Sequence, residues 1–442
     1  MHGWSIVHWR RLTGLPTLRG LAVGDGLLPA NYTSFIVAIY MWSVALDSPV
    51  RYGLSLIHLA ALIYLRDALL ISLLLVEIFL AIRVRRIHAG LLVGFSILAF
   101  HSIVGLVVSR NVPMTVFGMK AFLPLAAGLV VGVRLLDDEM EDGFARMMFW
   151  IWVVTVAGIV LDAAKVPFPW RGFSLEVGGV HVEGNRQWST VGVSRLAGFT
   201  RASFDAAVLL SVLPFFFVLR RRLFARYAVL FVSMVGIVLT VTKGILIGYL
   251  AALATTVLVE FRLPWKRIVF VLALAAGIGA MVGLPLFFEG QTLNVYRGDP
   301  VQEFLFGSFR ERINSTWPDA WSFLSEPAVS LMGTGLGGIG AAQKIFDNSR
   351  AFQPGDNMFI YLRVIMGILA YPYLAYLTWN AVSAKPYEKA RGASILLVQL
   401  FFAGVSLSVP ESSVGGIVIG ILAVPSAGGL NRRLRIGSRI PP

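Results

Sequence analysis

Arg195 and Arg201 flank the segment Ser194-Arg-Leu-Ala-Gly-Phe-Thr-Arg201, just before a long apolar stretch. A guanidinium is planar, keeps its charge and makes bidentate hydrogen bonds to phosphate oxygens. Two of them at the mouth of an apolar stretch suit a pyrophosphate carried on a lipid. The alternative is a pair of interfacial arginines snorkelling to headgroups. Lys243 lies in a tight turn, Thr240-Val-Thr-Lys-Gly244, between two apolar stretches, and Lys120 falls about two turns inside another. An ionisable group at such depth is costly and usually faces a cavity or a partner, although a long lysine can also reach the interface. Glu77 is similarly embedded and reads as a structural partner for a donor that the sequence does not identify.

Further along stand Phe309-Arg310-Glu311-Arg312 and Trp317, then Gly333-Thr-Gly-Leu-Gly-Gly-Ile-Gly340, then Gly355-Asp356-Asn357 at the start of another apolar stretch. Asp356 admits two roles. Held at the mouth of a cavity, its carboxylate could accept a proton from an attacking hydroxyl, with partial burial raising its pKa. It could equally cap the helix that begins at Asn357. Gly335 to Gly340 spell a literal G-x-G-x-x-G. No strand precedes it and no ribose-binding acid follows at the right distance, so a dinucleotide site is rejected in favour of a turn whose amides approach a substrate or the membrane. Trp170, Trp188, Trp317 and Trp321 suit either a membrane interface or the face of a sugar.

The elements that must position these groups are apolar. The chain of 442 residues is 57% hydrophobic and 14% charged, with mean hydropathy +0.76, against roughly 25% charged for a soluble domain. Stretches near ~20 apolar residues cross a bilayer only as helices, because the backbone finds no water there. About twelve are expected, near Tyr32 to Leu46, Asp67 to Ile82, Ala89 to Ser109, Met114 to Val133, Met147 to Ala163 and Phe204 to Val218. The rest run near Tyr227 to Thr242, Ile245 to Leu258, Ile268 to Phe288, Asn357 to Trp379, Ala393 to Ser408 and Val414 to Ala427. Tyr52 to Leu65 is short and interrupted by Arg66 and Asp67, leaving open a re-entrant segment or the start of one long tilted helix.

Basic clusters fall in every second connection: Arg83, Arg85 and Arg86; Arg220 to Arg222; Lys266 and Arg267; Lys385 and Lys389; Arg432, Arg433, Arg435 and Arg439. That side is expected to be cytoplasmic, and the formal charge of +14 is read as topology, aided by anionic lipid, rather than as nucleic-acid binding. The two long polar connections, 166–203 and 289–356, then lie on the other side of one membrane domain spanning 1–442. Both far exceed an ordinary loop and are expected to carry function. With no cysteine there are no disulfides or thiolate sites, and no removable signal peptide is evident around Arg10 and Arg11. His181 is the clear histidine of the long loops, so no metal site is expected there.

Taken together, these landmarks resemble the O-antigen ligase and O-antigen polymerase superfamily of bacterial envelope glycan enzymes. Over roughly Lys120 to Tyr373 the match is one of order and spacing. Arg195-Leu-Ala-Gly-Phe looks like the family's arginine-and-glycine segment before a span. Leu239-Thr-Val-Thr-Lys-Gly looks like its Thr/Ser-x-Ser-Arg-Gly turn, with lysine in place of arginine. Arg310 or Arg312, Trp317, Gly333-Thr-Gly-Leu-Gly and Asp356-Asn357, with nine residues before Gly367, resemble the large outer loop and the helix after it. Ligases carry histidine where Asp356 stands, so the resemblance implies a polymerase of lipid-linked repeat units more than a ligase that transfers glycan to lipid A-core.

The resemblance implies an all-α polytopic membrane protein of the membrane-integral glycosyltransferase (GT-C-like) kind, in the bacterial inner membrane, with both termini cytoplasmic and the site facing the periplasm. It implies no cofactor and no metal. It implies an undecaprenyl-pyrophosphate-linked glycan as donor and acceptor, membrane lipids around it, a chain-length regulator protein as a further partner, and no nucleic acid. Asp356 and Arg195 are the candidate catalytic residues, and Arg195, Arg201, Lys243, Arg310, Arg312, Lys120 and Trp317 the candidate substrate-binding set. Cations supplied by the protein could stabilise the departing pyrophosphate in place of a metal. A secondary transporter is the competing class, but it would show related halves and broken helices meeting at mid-membrane, and no such repeat is found.

Overall fold

The computed structural model describes residues 30–84, 86–134, 141–177, 180–218, 223–260, 265–294, 299–346, 354–383, 391–424 and 433–435. Arg85, Arg220 to Arg222, Lys385, Lys389, Arg432 and Arg439, expected on the basic side, lie outside the described residues, as do Arg10 and Arg11.

Helix α1 (Ala30–Ala45) meets α2 (Asp47–Leu56) at a bend of 80°. A 3-10 turn (Ala60–Tyr64) then leads into α3 (Leu65–Val84). Tyr52 to Leu65 therefore does not begin one long tilted helix. Its exposed Leu56, Ile57, Leu59 and Leu62 make it an apolar elbow between α1 and α3. Strand β1 (Arg86–His88) precedes the antiparallel-packed α4 (Ala89–Ser109) and α5 (Val112–Arg134), and α6 (Glu141–Ala163) follows. Two short hairpins, β2 (Ser174–Val177) with β3 (Val180–Glu183) and β4 (Ser189–Thr190) with β5 (Val193–Ser194), build the first long connection of a structure that is otherwise mostly helical, as an all-α membrane protein is expected to be.

Beyond it run α7 (Ser203–Val212), α8 (Pro214–Phe217), α9 (Leu223–Leu239), α10 (Lys243–Glu260) and α11 (Lys266–Phe287). The second long connection folds into short helices: α12 (Pro300–Glu311), α13 (Trp317–Ser322), α14 (Pro327–Met332) and α15 (Ala341–Phe346), with a π-type turn at Arg312–Thr316. The chain closes with α16 (Met358–Met366), α17 (Ala370–Ser383), α18 (Arg391–Ala403), α19 (Ser413–Leu422) and strand β6 (Arg433–Arg435). β6 pairs with β1, setting Arg86 opposite Arg435, so two of the basic clusters meet at one end of the bundle.

Five stretches among the described residues are long and apolar enough to cross a membrane: Ala89–Ser109, Val112–Val133, Gly143–Ala163, Arg267–Phe287 and Met358–Ser383. The bent pair α1–α2 makes a sixth if it counts as one passage. Others expected as spans are shorter helices, at Ser203–Phe217, Leu223–Leu239, Lys243–Val259 and Ser413–Leu422, against the ~20 residues an untilted crossing needs. α3 has the length but carries Arg66, Asp67, Glu77 and Arg83. Phe79, Ile82, Ile103 and Val107 stand exposed on α3 and α4, a distribution that suits lipid rather than water as the solvent.

The centre of the bundle is the contact of α5 with α19. A Cβ on Gly128 would sit 2.2 Å from the Ile417 carbonyl, and one on Gly420 2.2 Å from that of Leu125. Small residues let the two backbones touch, which is how helices gain dispersion contact where lipid removes the hydrophobic drive.

Candidate functional site

Asp162, at the C-terminal end of α6, organises the first polar segment. Its Oδ2 accepts the N–H groups of Ala197 (3.1 Å) and Gly198 (3.0 Å), while Oδ1 pairs with Arg171. Ser48, just past the α1–α2 bend, donates its N–H to Phe199 O (3.0 Å) and its hydroxyl to Thr200 O (2.8 Å). A buried carboxylate and a buried hydroxyl thus clamp Leu196 to Ala202, leaving Arg195 at the edge of a fixed cradle. Its Nε donates to Thr190 Oγ1 at 3.1 Å. Both terminal nitrogens have no hydrogen-bond partner among the described residues.

The Leu196 N–H reaches Leu239 O at 3.5 Å, joining this cradle to the turn that ends α9. Val241 takes φ of 56° there, and Lys243 opens α10. The ammonium approaches Leu305 O (3.4 Å) and lies 4.6 Å from the centre of the Phe304 ring, both on α12.

The sequence leaves Arg310 and Arg312 as equals, and the structure separates them. Arg310 turns back along α12, giving both oxygens of Glu303 a nitrogen at 2.9 and 3.1 Å. Arg312, first residue of the π-type turn, donates to Ser308 O (3.0 Å) and Ser406 O (3.2 Å), and its Nη2 stands 3.3 Å from Asp356 Oδ2. π turns of this kind recur at functional sites. Arg195 is electrostatically coupled to Arg312, and Lys243 to both. Burial, and then Arg312, lowers the Arg195 guanidinium pKa. Three cations from three separate connections therefore share one locus.

Asp356 is not the helix cap. Asn357 holds that place, its Oδ1 accepting the Ile360 N–H at 3.0 Å while Nδ2 donates to Met281 O (3.0 Å) and Val405 O (3.3 Å). Released from capping, Asp356 faces Arg312. Burial raises its pKa, opposed by Arg312 and aided by Glu311.

Three of the candidate residues sit in other company. Lys120 pairs with Asp67 at 3.1 Å and lies 4.3 Å from the Tyr64 ring centre. It belongs to a network in which Asp47 binds Arg51 (2.8 Å) and Arg66 (3.2 Å). Arg201 donates to Glu183 O at 3.0 Å, and burial, Arg186 and Arg51 push its guanidinium down to about 10. Trp317 is buried edge-on to Phe309 and walls a cleft of about 390 Å³ with Trp321, Ile313 and Pro285. That cleft contains none of the three converging cations.

The glycine run also acts differently from the expectation. Gly335, at φ of 71°, would place a Cβ 2.0 Å from the Gly105 N atom on α4. Leu336 donates its N–H to His101 O (2.9 Å), and Thr334 its N–H to Val364 O (2.7 Å). The close approach is to the protein's own helices, wedging the run between α4, α5 and α16.

A further carboxylate at this end, not among the candidates above, is Glu411, in the connection between α18 and α19. Its signal was visible as a lone acid, Ser-Val-Pro-Glu411, between two strongly apolar stretches. Among the described residues no group of three or more metal-ligating side chains occurs. No protein-family model matches the chain, and neither a curated protein nor a solved structure does. What the site offers chemically is a fixed cationic locus with an adjacent carboxylate, suited to a dense anion such as pyrophosphate.

Proposed function

We propose that the protein is a membrane-integral glycosyltransferase that polymerises polyprenyl-pyrophosphate-linked oligosaccharide repeat units into O-antigen or exopolysaccharide. The observation that carries this reading is the convergence of Arg195, Lys243 and Arg312, with Asp356 paired to Arg312. A hydroxyl of the acceptor glycan attacks the anomeric carbon of the donor. The bond from that carbon to the pyrophosphate oxygen breaks, and the electron pair leaves with the polyprenyl pyrophosphate. Negative charge then builds on the departing oxygen, where fixed cations lower the barrier most.

In this reading the chain passes the membrane about twelve times in a GT-C-like arrangement, the shorter apolar helices completing the set. The β1–β6 end is cytoplasmic and the cationic end periplasmic, where flipped lipid-linked repeats present their glycans. A ligase would use the same anion chemistry with a different acceptor.

Purified protein in nanodiscs, given lipid-linked repeats, should produce a ladder of polymer lengths, and Arg312→Ala should abolish it. A deletion strain should accumulate single repeats on the carrier. Long unligated chains in that strain would instead identify a ligase, and flux of intact substrate across sealed vesicles without bond formation would identify a transporter.

A further inference from the structure

Glycosyl transfer releases a proton from the acceptor hydroxyl, and Asp356 is poorly placed to take it alone. Its carboxylate is committed to Arg312, the cation that would bind the leaving group. Glu411 is held differently. Its Oε1 accepts the Ala341 N–H at 2.7 Å and its Oε2 the Ser408 hydroxyl at 3.3 Å. Gly340 clears the space, since a Cβ there would lie 2.7 Å from Oε2. Two donors and a glycine gap thus fix a recessed carboxylate that keeps some solvent-accessible surface.

The connection that carries Glu411 also supplies Ser406 O to Arg312, so the carboxylate belongs to the same end of the bundle. Asp356, Arg186 and Tyr361 are the charged and titratable groups within electrostatic reach. Among the described residues Glu411 forms no ion pair. Burial, and the repulsion of Asp356, push its carboxyl up to about 7, against the pull of Ala341, Ser408 and Arg186. A fixed acid that forms no ion pair, within electrostatic reach of Asp356 and on the connection that also holds Arg312 through Ser406 O, has the geometry of a proton acceptor.

We propose that Glu411 accepts the proton of the attacking hydroxyl, while Asp356 aims Arg312 at the pyrophosphate. The proposal rests on the polymerase reading above. As the oxygen bonds to the anomeric carbon, its proton passes to the Glu411 carboxylate, and the electron pair of the broken C–O bond leaves with the pyrophosphate. Glu411 then returns the proton to water.

The test compares wild type, Glu411→Gln and Asp356→Asn in nanodiscs, with polymer formation from lipid-linked repeats followed from pH 5.5 to 9. Glutamine retains an oxygen for the Ala341 N–H and so preserves the seat. Glu411→Gln should lower kcat about 100-fold or more, the usual scale of general-base help, with donor KM nearly unchanged. It should also erase the rise in wild-type rate through pH ~7. Asp356→Asn should raise donor KM and keep that rise. Glu411→Gln within threefold of wild type, with the same pH profile, overturns the role of Glu411 alone. Wild type that forms no polymer overturns the polymerase reading itself. Should Glu411→Gln not fold, Glu411→Asp serves instead: it keeps the charge but withdraws it by one methylene, and an unchanged rate and profile would overturn the proposal.

Discussion

Arg312 Nη2 and Asp356 Oδ2, 3.3 Å apart, tie the second polar segment to the residue before the α16 cap. Arg310, two residues away, is occupied by Glu303. The pair separates two arginines that otherwise look interchangeable. Arg312→Ala should abolish polymer formation at normal expression, whereas Arg310→Ala should keep most activity and cost no more than ~1 kcal/mol of stability, as partly exposed ion pairs do. Polymer ladders and thermal unfolding of the two purified variants check this, and loss of activity in Arg310→Ala alone would reverse the assignment.

Arg195 offers its two terminal nitrogens from a backbone held by Asp162 and Ser48. Arg195→Lys keeps a charge but loses the fork that meets two phosphate oxygens at once. It should raise the donor KM and cut turnover at least tenfold, with unfolding temperature unchanged. Full activity in both Arg195→Lys and Arg195→Ala would remove the residue from the site.

Much of this arrangement was legible in the sequence because it follows from chain chemistry. Apolar length gave the helices, and Arg195 before an apolar stretch, Lys243 in a tight turn between two, and Arg310 or Arg312 in the second long connection were readable as candidate cations. What the sequence could not give was pairing across the chain. Lys120 reads as an isolated intramembrane cation until Asp67, on a different helix, is seen to face it. Asp356 and Asn357 are both good caps, and only the backbone at 357 decides that the asparagine takes the role. Gly335 reads as a turn residue, while its actual neighbour is the backbone of Gly105 on α4. Glu411 is a single acid with no spacing pattern around it, and the groups that act on it, Ala341 and Asp356, come from a distant connection.

Lys120 is predicted to be structural. Lys120→Met leaves the partly buried Asp67 with only Arg66, 3.9 Å away, and should destabilise the protein by on the order of 1–3 kcal/mol. Neutralising both, Lys120→Met with Asp67→Asn, should recover most of that loss and leave donor KM within about twofold of wild type. A donor KM that stays high in the double variant would return Lys120 to the substrate.

Asn357 holds three elements at once: it caps α16 and donates to carbonyls at the end of α11 and after α18. Asn357→Ala removes the cap and leaves buried acceptors unpaired, for a loss of roughly 2–4 kcal/mol. Asn357→Asp keeps the cap but cannot donate to Met281 O and Val405 O when ionised, so it should be less stable than wild type at neutral pH. Unfolding in detergent by heat reads both, and an Asn357→Ala protein as stable as wild type would contradict the arrangement.

The final prediction concerns stability against pH. The Glu411 carboxyl is raised from its ordinary 4.5 to about 7 in the folded protein, so between those values the folded state binds a proton that the unfolded chain does not. Its contribution is therefore fully present below pH ~4.5 and is lost as the pH rises through ~7, with nothing further lost above that. The span of the shift corresponds to at most on the order of 3 kcal/mol. Glu411→Gln carries no titrating group, and its glutamine still accepts the Ala341 N–H. Stability of the variant should run flatter than wild type between pH 4.5 and 7, and the two curves should part most at pH 7 and above, where glutamine spares the cost of a buried charge. Parallel curves across that window would mean that Glu411 titrates as an ordinary surface carboxylate.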